Sequence, residues 1–257
     1  MSYPNFPNKY QEKSLSTAER FWNYKRKIGR IPKIEPPKGV IVCYSTRLLN
    51  YIIKNHSAKK VDFVFGDYFY LLEEEGQQIG LCGGFGVGAP MVGILLEELN
   101  EFGVKSFLSI GTAGALQKEL KLGSLVICDR AIRDEGTSHH YLEFEKYSYA
   151  SQKITKKLCE VMEKLNLEYN IGTTWTTDAP YRETYSEIAK YKKERVLTVD
   201  MEASAIFAVA QYLGVDTGVI FTISDYLGED DWELHFYLTE EFLHILFLIA
   251  KETINSL

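Results

Sequence analysis

The sequence predicts an α/β fold: a single domain built on a central mixed β-sheet, flanked by helices. Two observations carry this. From Gly39 onward, short β-branched runs alternate with helical patterns, the order expected when helices cover a mainly parallel or mixed sheet. The 257 residues, 46% of them hydrophobic, also suffice to bury one large core.

Residues 1–39 read as an N-terminal helical and extended appendage. Ser16 and Glu19 fit a capping box opening a short helix through Phe21, Trp22 and Tyr24, after which Pro32, Pro36 and Pro37 break regular structure. The main domain, 40–257, begins with strands expected at 40–42, 61–65, 79–82 and 105–110. The helix after Gly88 is the best marked, because Pro90 suits its first turn, Leu95, Leu96, Leu99 and Phe102 form an apolar face, and Gly103 closes it. A second helix is expected over 151–165, with Ile154, Leu158, Met162 and Leu165 on one side. Strands at 124–129, 171–177, 195–199 and 217–223 follow, with a helix over 202–213 and a last helix from Thr239. No internal repeat or low-complexity segment is present.

Composition excludes several classes of partner. A net charge of −6 without a clustered basic stripe does not suit a nucleic-acid backbone. Cys43, Cys82, Cys128 and Cys159 are widely spaced and read as reduced core thiols of a cytoplasmic protein, with no zinc pattern. The polar start of the chain does not support a secretory signal. The longest apolar stretch, 242–250, contains His244 and is far shorter than the roughly 20 residues that span a bilayer.

Four segments carry chemistry. Gly83-Gly84-Phe85-Gly86-Val87-Gly88-Ala89-Pro90 is a glycine-rich turn between an apolar strand and a capped helix. It reads equally as a plain tight turn or as an anion site of close-approaching amides; it lacks the Lys-Ser/Thr of a P-loop. Ser109-Ile110-Gly111-Thr112-Ala113-Gly114-Ala115 ends a buried strand, where ligands gather in open α/β sheets. Val199-Asp200-Met201-Glu202-Ala203-Ser204 puts two carboxylates before a helix, either to grip a sugar diol or to serve the helix dipole. Phe221-Thr222-Ile223-Ser224-Asp225 ends an apolar strand on an acid that either donates a proton or caps a turn.

In this order the four segments resemble the family I nucleoside phosphorylases, the group that holds hexameric purine nucleoside phosphorylase, uridine phosphorylase and related nucleosidases. The likeness covers about residue 40 to the carboxyl terminus. It is most specific in Ile110-Gly111-Thr112-x-Gly114-Ala115 taken together with Val199-Asp200-Met201-Glu202-Ala203. It implies a phosphorylase/hydrolase-like fold with a partly barrel-like sheet, and a catalytic domain that cleaves a nucleoside with phosphate to free base and ribose 1-phosphate, purine favoured and uridine possible. The resemblance assigns Arg47, Gly86 and Thr112 to phosphate and Met201 and Glu202 to ribose. It assigns Tyr181, Arg182, Ser224 and Asp225 to the base, with Asp225 as the general acid. Inorganic phosphate is the co-substrate; no metal or other cofactor is implied. The family also implies a homo-oligomer, either a dimer or a trimer of dimers. The segment 133–141 resembles a loop near the site in the uridine-phosphorylase-like branch; its two histidines are not expected to bind metal, since neighbours in a strand face opposite ways.

The chain departs from the family pattern at several places. Cys43-Tyr44-Ser45-Thr46 replaces the usual Gly-Asp-Pro stretch, Ser109 stands where a second phosphate arginine is common, and no arginine lies between Arg47 and Arg130. Pro180 takes the place of a stacking phenylalanine. Fewer guanidinium groups weaken an anion site. Hydrolysis by water in the same pocket and a catalytically idle nucleoside-binding module therefore stand as alternatives to phosphorolysis.

Overall fold

A computed structural model of the chain describes residues 4–6, 8–66, 68–74, 76–228 and 231–257. Residues 1–3 and 7 of the N-terminal segment thus lie outside the described residues. In chain order the elements are α1 (Ala18–Lys27), β1 (Val40–Cys43), α2 (Thr46–Asn55), β2 (Ala58–Lys60), β3 (Phe69–Glu74), β4 (Gln77–Gly83), α3 (Ala89–Phe102), β5 (Ser106–Ala115) and β6 (Leu125–Asp134). They continue with β7 (Tyr147–Tyr149), α4 (Gln152–Lys164), β8 (Asn170–Thr177), α5 (Tyr185–Lys193), β9 (Thr198–Asp200), α6 (Ala203–Leu213), β10 (Asp216–Leu227), β11 (Trp232–Leu234) and α7 (Glu240–Asn255).

The strands form one mixed sheet in the order β11-β10-β6-β8-β9-β5-β1-β4-β3-β2, with β7 on β6. A further parallel pairing of β10 with β5 closes the strands β5, β10, β6, β8 and β9 into a ring. The expected mixed α/β architecture with a partly barrel-like sheet is what the structure shows. Its cause is visible in β1, which is buried along its whole length. Val40 and Val42 point into a core shared with α3 and α6, while Ile41 and Cys43 join a second core under α2, α4 and α7. A strand covered on both faces reads as a continuous apolar run.

Local signals place the helices. Gly88 and Gly103 bracket α3 with φ of 108° and 122°, and Pro90 sits in its first turn, as expected. The appendage helix is capped by Thr17, whose hydroxyl accepts from Arg20 N at 3.2 Å. The expected Ser16–Glu19 box is displaced by one residue, so position N3 carries Arg20 and cannot reciprocate. Helix α1 packs on α3 through Trp22, which stacks on Phe102 and donates its indole N–H to Glu98 O at 3.0 Å.

Two expected strands differ. Residues 61–66 form a turn with Phe63 and Phe65 at positive φ; this buries Val64 and Phe65, and the ladder with β4 starts at Phe69 instead. Near 195–199 only Thr198–Asp200 is strand, because α5 reaches Lys193 and Arg195 turns the chain with φ 60°. The 139–140 histidines stand on a 3-10 turn, not a strand. His139 Nε2 lies 3.1 Å from Arg133 O. No described helix is long and apolar enough to cross a membrane. All four cysteines are free.

Candidate active site

The carboxyl ends of β5, β9 and β10 converge because β5 pairs with both of the others. At that end lies a cavity of about 260 Å³. Thr112, Met201, Glu202, Ser224 and Asp225 all line it, joined by Tyr44, Val87, Glu183, Trp232 and Phe236. Five of the expected residues, drawn from three separate segments, thus share one chamber. A larger cavity of about 620 Å³ lies between the N-terminal segment and α3 and holds none of them.

The two carboxylates before α6 take different parts. Asp200 accepts from Glu202 N at 2.9 Å, Ala203 N at 2.7 Å and Thr176 Oγ1 at 2.7 Å. It therefore satisfies the open amides at the start of α6, the structural option of the pair. Glu202 turns away from its own helix and accepts from Gly88 N at 2.5 Å. The glycine-rich turn can aim that amide because Gly84, Gly86 and Gly88 all have positive φ. Part of its anion-binding capacity is thus spent on the protein's own carboxylate. Burial pushes Glu202 up to about 8, helped by the charge of Asp200 and opposed by the Gly88 and Met201 amides. Gly86 itself stands one residue behind Val87, which is the member of this turn that lines the cavity.

Asp225 is aimed by a bulge. The β5–β10 register shifts between Ile223 and Asp225, so the consecutive residues Ser224 and Asp225 both reach the chamber. Asp225 Oδ1 accepts from Ser224 Oγ at 2.6 Å and Oδ2 from the Trp232 indole at 2.6 Å. Trp232 arrives on β11, whose antiparallel pairing sets Leu234 opposite Asp225. The carboxylate also needs Gly114 opposite: a Cβ there would stand 2.9 Å from Asp225 Oδ2. Glu183, half-buried in the chamber wall, is pushed up to about 7 by burial, then by Asp225 and Glu187.

The expected anion end is arranged differently. Arg47, second residue of α2, is exposed and lies over the Tyr237 ring with its guanidinium carbon 5.2 Å from the centroid. It lines a neighbouring cavity of about 460 Å³ that shares Phe236 with the first. Where Ser109 replaces an arginine, its Oγ meets the Tyr44 hydroxyl at 2.9 Å. Enclosure pushes that phenol up, with Glu202 adding to the effect and the Ser109 bond opposing it. Among the described residues, no lysine, arginine or histidine lines the chamber of Glu202 and Asp225.

Tyr181 and Arg182 do not enter the chamber. They sit exposed on the 3-10 turn Pro180–Arg182, Tyr181 at 88%, and Pro180 and Glu183 line the wall in their place. The turn is followed by a Thr184–Glu187 capping box, which fixes the chain direction so that the residue before the cap faces inward. Sequence reasoning missed Glu183, Trp232, Tyr44 and Phe236. The capping box was the one available sign for Glu183; Trp232 depends on the β10–β11 pairing and has no local sign.

Against known proteins, residues 45–248 match the model of the phosphorylase superfamily. A guanosine phosphorylase of Halorubrum lacusprofundi is 31% identical over 144 residues, covering 56% of this chain and 59% of that protein. A uridine phosphorylase of Haemophilus influenzae is 31% identical over 158 residues, covering 56% and 62%. The chain thus spans about three-fifths of the length of these curated relatives. The crystal structure of uridine phosphorylase from Vibrio fischeri ES114 superposes with a TM-score of 0.73 at 24% identity, covering 88% of this chain and 94% of that one.

Proposed function

From the premise that this chain belongs to the phosphorylase superfamily, we propose that it cleaves the N-glycosidic bond of a nucleoside with inorganic phosphate, releasing free base and ribose 1-phosphate, with purine bases favoured. The observation that supports this most is the meeting of Thr112, Met201, Glu202 and the Ser224–Asp225 pair in one chamber. Glu202 and Met201 take the ribose, Thr112 the phosphate, and the end bearing Asp225, Trp232 and Glu183 the base. Cleavage builds positive charge on the sugar and negative charge on the leaving base. The Glu202 carboxyl group under the sugar, in its ionised form, and a proton donor at the base oppose those charges in a water-poor site.

Arg47 serves phosphate by leaving the Tyr237 ring and reaching past Phe236. An exposed cation–π contact is worth only about 0.5–1 kcal/mol, whereas a charge-assisted bond to an anion is worth about 1.5–3 kcal/mol. Bound phosphate therefore outweighs the contact that Arg47 would give up. No further cofactor enters the reaction, and the working unit is a homo-oligomer.

A hydrolytic reading rests on one observation, the lack of any cationic side chain on the chamber wall among the described residues. Product analysis on a panel of purine nucleosides and uridine, with and without phosphate, separates the two. Ribose 1-phosphate formed only with phosphate supports phosphorolysis; free ribose at equal rate without phosphate rejects it.

A further inference from the structure

The expected acid is poorly disposed to give a proton. Both oxygens of Asp225 already accept hydrogen bonds, from Ser224 and from Trp232, so the geometry uses it as an acceptor. Glu183 stands differently. It lines the chamber on the same side as Trp232 and also borders a second recess with Pro180, Tyr185, Asp231 and Trp232. Among the described residues it has no hydrogen-bond or ion-pair partner. Its backbone is held between the Pro180–Arg182 turn and the Thr184 cap, so its carboxyl group is positioned without being consumed by the fold.

We propose that Glu183 is the acid that protonates the departing base, with Asp225 the fixed carboxylate beside it. This rests on the phosphorolytic reading above. In the step, a phosphate oxygen forms a bond to C1′ while the C1′–N bond breaks. Its electron pair passes to the base, and the Glu183 O–H proton goes to a base nitrogen or carbonyl oxygen. Glu183 is left ionised and regains a proton from water at the open side of the chamber.

The surroundings keep that proton on Glu183. Facing it are Asp225 from β10, Glu187 from α5, and Glu202 and Asp200 from the β9–α6 turn across the chamber, with Asp231 and Tyr185 in the adjoining recess. No lysine, arginine or histidine lines either space among the described residues. Burial and like charge together favour the neutral acid, which is why Glu183 is pushed up to about 7, the range in which a general acid works at neutral pH.

The test compares Glu183→Gln with the wild-type chain on a natural nucleoside and on an activated analogue whose base leaves without a proton: guanosine against 7-methylguanosine, and uridine against 5-nitrouridine. The natural substrate is expected to lose about 10²–10³-fold in kcat, within the span of general acid catalysis, while the activated one loses less than about threefold. Wild-type kcat on the natural substrate falls as pH rises through about 7, and that limb is absent in Glu183→Gln. Glu183→Asp, which keeps an acid, recovers part of the rate. Equal losses on both substrates overturn the acid role alone. A wild-type chain that cleaves no nucleoside in the panel overturns the phosphorolytic reading, and this proposal with it.

Discussion

Replacing Glu202 by Gln separates what this carboxyl group does for the fold from the part proposed for it at the sugar. In the folded chain it is 7% exposed and sits beside Asp200. Its rise from 4.5 to about 8 corresponds, at about 1.36 kcal/mol per pH unit, to at most about 5 kcal/mol. Relaxation and water entry reduce such penalties, so this is an upper bound. The sign follows from linkage. Below about 4.5 the group is protonated in both folded and unfolded chains and costs nothing; between 4.5 and 8 only the unfolded chain ionises, so stability falls as pH rises, and above 8 the loss is complete. Gln keeps an acceptor for Gly88 N and cannot ionise. Melting temperature is therefore expected to rise in Glu202→Gln by about 2–4 °C per kcal/mol, most at pH 9 and least at pH 5. Turnover moves the opposite way where Glu202 is ionised, because charged acceptors to a diol are worth about 1.5–3 kcal/mol each; the loss in kcat/KM is expected to reach about 10²-fold above pH 8 and to shrink toward pH 5. Differential scanning calorimetry from pH 5 to 9, with nucleoside kinetics on the same samples, reads both. A melting difference that does not vary with pH would refute the assignment of burial as the cause.

Other substitutions probe the rest of the chamber. Arg47→Ala is expected to raise the KM for phosphate about tenfold or more with little change in melting temperature, since the side chain is exposed; an unchanged phosphate titration would leave the anion to Thr112 and main-chain amides. Trp232→Phe removes the indole bond to Asp225 while keeping a ring, and should lower kcat about tenfold; unaltered kcat would mean the β11 hairpin does not form part of the working site. Gly114→Ala would place a methyl 2.6 Å from Leu227 Cδ1 and 2.9 Å from Asp225 Oδ2. That overpacking costs about 1–3 kcal/mol and should depress turnover beyond its effect on melting. A Gly114→Ala chain with normal kinetics would show that the position of Asp225 is not critical.

The fold was legible where a local signal and the tertiary demand agree. Pro90 and Gly103 mark the ends of α3, and the unbroken apolar run of β1 reports a strand covered on both faces. The run at 61–65 was misleading for a physical reason. Apolar content says that Val64 and Phe65 are buried, but not that they are extended, and a tight turn with two phenylalanines at positive φ buries them equally well. Helices α2 and α5 carry good caps at Ser45 and Thr184 but are short, so their apolar periodicity is brief. Ser45 in particular was read only as a departure from a binding motif.

The site divides along the same line. Thr112, Glu202 and Asp225 stand at strand ends, and a strand end inherits its position from the sheet, so a motif there fixes a place as well as a residue type. Residues carried beyond the strand ends inherit no such position. Arg47 follows the first strand as the resemblance requires, yet in the first turn of α2 its guanidinium lies over the Tyr237 ring. Tyr181 and Arg182 lie in the expected segment, yet Pro180 opens a 3-10 turn that leaves them exposed and presents Glu183. The replacement of an expected aromatic by Pro180 thus has a chemical consequence. It exchanges an aromatic residue for an acidic wall, and so places a second carboxyl group in the chamber with Asp225, at the end proposed above for the base.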